Sequence, residues 1–309
     1  IGRPLCSCCS QLVRSASPWR ADRSYARRRS RVPASELRQA ILDGRSWTGA
    51  VAVARFPRVK STLKSFALIA YGRFRAWRRE PVRFRGAFAS YEAALRDVRS
   101  GLPAGYDHDA VTDVSREFMQ RIALWDYPIV YWLRHLQPTA LIDAGGHVGV
   151  KYRAFRPYLD LDRTDWIVYD LPAQVRAGRA QREPHDRTLS FVDRIEDAPA
   201  AEVLLASGLL PYLQEPFTDL VRRLQAPPRH ILLNKVVTRD GPTVVTLENF
   251  GVAEVPYQIR NVKEVPDLLA TLGYEIVDSW VIDQLAHRIQ THPELGRCTY
   301  RGYVARRRD

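Results

Sequence analysis

From Thr139 onward the chain alternates short apolar runs with helical stretches, a rhythm that few folds accept. The runs are Ala140–Ile142, Trp166–Tyr169, Leu189–Val192, Val203–Ala206 and His230–Leu233. Helical patterns such as 173–181 and 217–224 separate them. Strands joined through helices form βαβ units and a parallel sheet. Runs that are apolar throughout, rather than alternating, belong to strands covered on both faces. The end of the chain departs from this rhythm. A helix closes at Leu268–Leu272, with Gly273 as its stop. Tyr274–Val281 and Thr299–Ala305 then read as strands with no helix between them long enough for a parallel crossover, so they pair antiparallel. The expectation is an α/β fold of five parallel strands followed by an antiparallel C-terminal pair.

Upstream of that region the pattern is different. Pro128 opens a helix through Leu136, Ser90 caps a short one, and a helical stretch runs from Ala110 to Leu124. Residues 59–138 are therefore expected to form an N-terminal helical cover over the 139–309 domain. Within 59–79, Leu63, Phe66, Ala67, Ala70, Phe74 and Trp77 share one helical face, surrounded by Lys60, Lys64, Arg73, Arg75, Arg78 and Arg79. Such a stripe either docks on its own protein or lies on a membrane surface, peripheral to the inner membrane.

Charge separates the leader from the rest. The net charge is +13. Residues 1–85 hold 20 Lys and Arg against 4 Asp and Glu, a net of +16, while residues 86–309 hold 27 against 30, a net of −3. A nearly neutral main fold argues against a nucleic-acid surface on it. The leader, 1–58, contains the self-repelling run Arg27-Arg28-Arg29-Ser30-Arg31 and four prolines, and reads as a disordered extension or a misassigned start. A tail for nucleic acid or anionic lipid is the alternative. Cys6, Cys8 and Cys9 lack a second ligand pair at zinc spacing, so no metal is expected. Without an apolar signal segment, a span of about 18 apolar residues or a disulfide framework, a cytoplasmic protein is expected.

The first parallel strand runs into Asp143-Ala144-Gly145-Gly146-His147-Val148-Gly149. Glycines let a backbone turn sharply and approach a ligand, and the following helix offers free N–H groups. A dinucleotide fingerprint has Gly-x-Gly-x-x-Gly, whereas here Gly145 and Gly149 bracket three residues, with an acid two positions upstream. That acid suits a cation such as S-adenosylmethionine, whose amino group Asp143 would draw directly or through water. Asp170, at the tip of the second strand, is placed for ribose hydroxyls, Leu171 for the adenine face and Asp193, after the third strand, for the adenine amino group. His147 either faces the methionine portion or bonds within the loop. By fold analogy, five parallel strands and an antiparallel pair make the Rossmann-like sheet of a class I methyltransferase.

A set of stretches carries a closer resemblance: Phe84–Phe88, Gly105-Tyr106-Asp107, Asp126-Tyr127-Pro128, Asp143–Tyr152, Trp166–Pro172, Leu204–Leu213, Leu232–Lys235, Thr246–Gly251, Pro256-Tyr257, Gly273–Trp280 and His292-Pro293-Glu294. Together they resemble a bacterial family of S-adenosylmethionine-dependent methyltransferases often associated with surface-polysaccharide gene clusters. The resemblance covers the chain from about Val82 onward. It departs at Tyr91, at Trp125, and at Leu210-Pro211-Tyr212, where Pro211 lacks a backbone donor. It implies a Rossmann-like methyltransferase fold with S-adenosyl-L-methionine as cofactor and does not settle the acceptor; the gene-cluster association points to a small molecule or glycan, with methyl transfer expected at oxygen.

On the acceptor side, the fold nominates Ser207, Tyr212, Asn234, Lys235, Asn249, Tyr257, Asn261 and His292, with Asp126 and Tyr127 from the cover. His292 is the candidate base, with Tyr257 and Tyr212 beside it; a turn histidine bonded to backbone is the other reading of His292. Ser207 also borders the cofactor. Residues 247–262 read as an irregular binding loop. Competing readings are an NAD-dependent oxidoreductase and a non-catalytic, membrane-peripheral scaffold that keeps the fold.

Overall fold

The computed structural model describes residues 59–78, 80–103 and 121–308. The leader at 1–58 and Gly105, Tyr106 and Asp107 lie outside the described residues, as does the expected helix from Ala110 to residue 120. Leu124–Asp126 make a single 3₁₀ turn.

In chain order the strands are β1 (Phe84–Phe88), β2 (Ala140–Ala144), β3 (Asp165–Tyr169), β4 (Leu189–Val192), β5 (Val203–Ser207), β6 (His230–Arg239), β7 (Val244–Asn249), β8 (Glu254–Asn261), β9 (Tyr274–His287) and β10 (Cys298–Arg307). The helices are α1 (Val59–Trp77), α2 (Tyr91–Arg96), α3 (Tyr127–Leu136), α4 (Val150–Phe155), α5 (Pro172–Ala180), α6 (Phe217–Arg222) and α7 (Glu264–Thr271). The caps follow the sequence. Ser90 Oγ accepts the Ala93 amide at 3.1 Å, and Gly273, at φ 84°, takes the left-handed conformation just beyond α7.

Strands β4, β3, β2, β5 and β6 run parallel in that order. β10 then lies antiparallel to β6, and β9 antiparallel to β10. This order, with its reversed last strand, is the sheet of class I methyltransferases, as the alternation of runs predicts. Neighbouring residues in each central strand go to opposite cores. Ile142, Leu204 and Leu233 pack against Phe217 and Leu220 of α6 and Leu269 of α7. Leu141, Leu205 and Leu232 pack against Ile129 of α3, Phe155 of α4 and Val175 of α5. Each large side chain so buried contributes roughly 1.5–3 kcal/mol, which is why the strands must be apolar at every position.

Two expectations are corrected. The stretch 247–262 is not an irregular loop: β7 and β8 form an antiparallel hairpin across it, and β8 joins β6 at Thr238 and Arg239. The 59–138 segment is not purely helical, because β1 pairs with β7 and completes a three-stranded annex. Glu254, the first residue of β8, holds Arg85 at 2.6 Å and Arg99 at 3.2 Å, so opposite charges tie the N-terminal segment to the hairpin.

α1 docks, but not through its apolar stripe. Gly72 is buried against Pro293, where an added Cβ would stand 2.7 Å from the proline ring, and Arg73 pairs with Glu294. Phe66 and Trp77 remain 65% and 80% exposed. No helix among the described residues is long and apolar enough to cross a membrane.

Candidate functional site

A cavity of about 1410 Å³ opens at the C-terminal ends of β2, β3 and β5, beside Lys235 in the middle of β6. Crevices at these strand ends are the usual ligand sites of open α/β sheets. Two walls of different construction enclose it.

The first wall is the glycine turn. Gly145, at φ 75°, turns the chain out of β2, and its amide donates to the Tyr169 carbonyl at 2.8 Å. Asp170 leaves β3 beside it. Its Oδ2 accepts the His147 amide at 2.7 Å and its Oδ1 the Leu171 amide at 2.8 Å. Two backbone donors thereby aim a carboxylate at the cavity, which Gly145, His147, Asp170, Leu171 and Ser207 all line. Ser207 Oγ is buried with no hydrogen-bond partner among the described residues.

The second wall is made of side chains brought from far apart. Tyr212 donates to Glu248 Oε2 at 2.7 Å, and Glu248 Oε1 takes Arg83 at 2.9 Å. Tyr257 and Tyr300 share a hydrogen bond of 2.7 Å, and the Tyr212 and Tyr257 rings meet edge-on at 5.1 Å. Burial raises the Glu248 carboxyl above its ordinary range, against the pull of Arg83 and Tyr212. Burial likewise holds Tyr257 well above an ordinary phenol, so it stays a neutral hydroxyl.

Between the walls sits Lys235, on the cavity side of β6. Burial is the main cause that brings its ammonium down to about 8; Lys151 adds repulsion, and Asp126 and Asp143 oppose the shift. Its backbone is left-handed at φ 55°, costly for a residue with a Cβ. Among the described residues three non-glycines have positive φ. Gln137 caps a helix, while His147 and Lys235 both line this cavity. Strain at two such positions marks a site that the surrounding structure has to enforce.

A cover segment, Arg121–Asp126, closes the rim. Asp126 is buried and paired with Lys151 of α4 at 2.7 Å, and the Trp125 carbonyl accepts the Asn234 side-chain amide at 3.0 Å. Asp126 and Asn249 line the cavity, as nominated; Asn249 also accepts the Gly251 amide. Asn234 anchors the cover instead of facing the cavity.

Other nominated residues lie elsewhere. Asp143 is on the side of β2 that faces α4, by the same parity that buries Leu141. It is 1% exposed, accepts Trp166 Nε1 at 3.1 Å, and underlies Gly146, where an added Cβ would come within 2.6 Å of its Oδ2. Burial raises its carboxyl to about 7. Asp143 and Gly146 thus build the turn from below, and the cavity wall does not include them. Gly149 caps α4, at a spot where an added Cβ would meet Leu189 at 2.9 Å. Asp193 is exposed outside the cavity, because β4 ends at Val192 and the chain bends away. Tyr127 is half-exposed against Tyr158, and Asn261 caps the β8–α7 turn through the Lys263 amide.

His292 is also outside the cavity. The connection after β9 folds over β1, where Gln290 accepts the Phe84 amide at 2.8 Å and Thr291 the Gly86 amide at 2.8 Å. The His292 ring meets Thr291 Oγ1 at 2.9 Å, and its amide donates to the Ile289 carbonyl. This is the turn histidine, not a base facing the cavity. Sequence reasoning missed Arg83, Glu248 and Tyr300. The one available signal was Glu248-Asn249 at the tip of an apolar run, a carboxylate that a strand carries out to its end.

Solved structures similar to this chain include a Burkholderia thailandensis 1,6-didemethyltoxoflavin-N1-methyltransferase with S-adenosylhomocysteine bound, at 21% identity, covering 65% of this chain and 82% of the other, TM-score 0.42. Human N-acetylserotonin methyltransferase, in complex with S-adenosylmethionine, is similar at 15% identity over 82% of this chain and 69% of its own, TM-score 0.44. An O-methyltransferase family protein of Burkholderia thailandensis is similar at 14% identity, over 77% and 70%, TM-score 0.42. No protein-family model matches the chain, and no curated protein does. The strand order, rather than these likenesses, defines the fold.

Proposed function

We propose that this protein is a methyltransferase that uses S-adenosyl-L-methionine to methylate a hydroxyl of a small molecule or glycan. The observation that carries the reading is one cavity bounded by the glycine turn with Asp170 on one side and the Lys235, Tyr212 and Glu248 groups on the other. The donor set fits the cofactor. Asp170 is held by two amides so that its carboxylate suits ribose hydroxyls, and the buried Ser207 hydroxyl is open to a partner. Gly145 and Leu171 would flank the rest.

When bound, S-adenosylmethionine supplies an electrophilic methyl group whose leaving group is a neutral thioether. The chain's own task is to align a nucleophile and exclude water. Lys235, with an amine brought near neutrality by burial, is the group placed to take the acceptor's proton, the role first expected of His292. Tyr257, a neutral hydroxyl, and Tyr212, held in place by its bond to Glu248, orient the acceptor. The glycan alternative for the acceptor rests on the family resemblance.

Calorimetric titration of the full chain with S-adenosylhomocysteine and, separately, NAD tests the cofactor. Binding of S-adenosylhomocysteine alone is expected, weakened in Asp170→Ala and kept in Lys235→Met. Binding of NAD alone would mean that the glycine turn takes a dinucleotide, and binding of neither would favour the scaffold reading.

A further inference from the structure

The geometry points to α1 as an interfacial helix that lies on an anionic lipid surface, inserting the Phe66, Phe74 and Trp77 face among the headgroups. The proposal is independent of the methyltransferase reading. It rests on how the fold holds this helix. At about 100° per residue, and with Phe66 at zero, Trp77 falls near 20°, Ala70 near 40°, Phe74 near 80° and Ala67 near 100°. The stripe is therefore continuous and about a quarter of the circumference wide.

The opposite side does the docking. Gly72 is buried on Pro293, and Ile69 and Ala76 beside it are half-buried. The helix is thus fixed by one side while its aromatic side is turned outward, with Phe66 65% and Trp77 80% exposed. Exposed apolar area of this kind on a held helix marks an interaction surface.

Charge decides between occupants. Residues 59–79 contain no Asp or Glu. Arg73 borders the stripe on one edge, and Arg78 and Lys64 follow it on the other, near 120° and 160° at about 100° per residue. Arg73 is engaged by Glu294, while Lys64 and Arg78 have no ion pair among the described residues. An aromatic face flanked by cations matches apolar insertion beneath anionic headgroups. A second copy meeting the same face would set Lys64 and Arg78 against themselves, with no acid on either helix to offset them. Residues 1–58 add 12 Arg against 3 acids, in the same sense.

The test is vesicle flotation of the full chain. Vesicles of phosphatidylcholine alone are compared with vesicles of equal parts phosphatidylcholine and phosphatidylglycerol. The chain is expected to float with the anionic vesicles only, and less as salt rises. Phe66→Ser with Trp77→Ser should lower the bound-to-free ratio roughly tenfold or more. Lys64→Glu with Arg78→Glu should do the same at low salt, by roughly tenfold or more. All four side chains are exposed, so unchanged thermal melting checks that the fold persists. Failure to float overturns the proposal. So does undiminished flotation of the Phe66 and Trp77 variant, which would assign binding to the basic leader. A dimer in sedimentation equilibrium that the same variant abolishes would make the face a self-association surface and overturn it as well.

Discussion

In the glycine-turn wall, every cavity-facing group except Ser207 comes from the single stretch Gly145–Leu171, and most of the work is done by backbone. Amides hold Asp170, and glycines make room where side chains would collide. In the tyrosine wall, Arg83, Tyr212, Glu248, Tyr257 and Tyr300 arrive from five separate elements or loops, and contact is made side chain to side chain. The difference teaches where each wall is vulnerable. A backbone-built wall answers chiefly to what is buried beneath the turn, where Asp143 is held against the cost of its own burial. A side-chain-built wall can lose single hydroxyls cheaply, while the base role proposed above falls to one group, Lys235, that the fold strains into position.

That contrast can be broken most severely at Lys235. Lys235→Met should lower methyl transfer from labelled S-adenosylmethionine by about 10²–10⁴-fold, the usual contribution of a positioned base, while S-adenosylhomocysteine binding is unchanged. A lysine acts as base only when neutral, so the wild-type rate should rise as pH rises through about 8. Competitive acetylation read by mass spectrometry should place the Lys235 midpoint there, well below an ordinary lysine. A midpoint at the ordinary value would remove it from the proton-transfer role.

Next in size is the support beneath the glycine turn. Asp143 has its carboxyl raised to about 7 by burial, from 3.8. The folded state then holds a proton that the unfolded state has lost, so this group's effect on stability becomes less favourable as pH rises between these values. Asp143→Asn should match wild type near pH 4 in urea unfolding and exceed it at mildly alkaline pH by roughly 2–4 kcal/mol. A difference that does not grow with pH would mean that the buried carboxyl is not what titrates.

Smaller again is Asp170→Ala, expected to weaken S-adenosylhomocysteine binding by about 1–3 kcal/mol, the cost of stranding hydrogen-bonded partners. Unchanged affinity in calorimetry would detach Asp170 from the cofactor. The smallest effect is expected at Tyr212→Phe. It removes one donor from Glu248, which keeps Arg83, and should cost about 1 kcal/mol in urea unfolding. A loss of several times that would show that the tyrosine wall does not tolerate the loss of a single hydroxyl.

The two walls also differ in how far the sequence reveals them. The acid, the glycines and the strand-end Asp170 are readable because the ligand-facing geometry is local: a strand, a turn and a helix start lie within one stretch. The sequence does not show there which way Asp143 points, since period-two parity selects a face but does not say which face the helices cover, nor that Gly146 and Gly149 shape the turn without lining the cavity. In the other wall, Tyr212, Tyr257 and Lys235 were nominated from fold position alone, and their bonding partners were invisible. Glu248 lay in a stretch read as loop, because Val244–Asn249 is a strand only by virtue of pairing with β1 and β8. His292 was placed correctly between the last strands, but the connection it sits on turns toward β1 and α1.

By itself, then, the sequence determined the layered α/β sheet, the antiparallel ending and the glycine turn, because periodicity, capping and turn chemistry act over a few residues. Tertiary structure alone decided that a third strand from the N-terminal segment completes the annex, that Glu248 bridges Arg83 and Tyr212, that Lys235 adopts a strained backbone inside the cavity, and that α1 turns its aromatic face outward. Each of these depends on contacts between residues far apart in the chain, whose energies exist only once the sheet has brought them together.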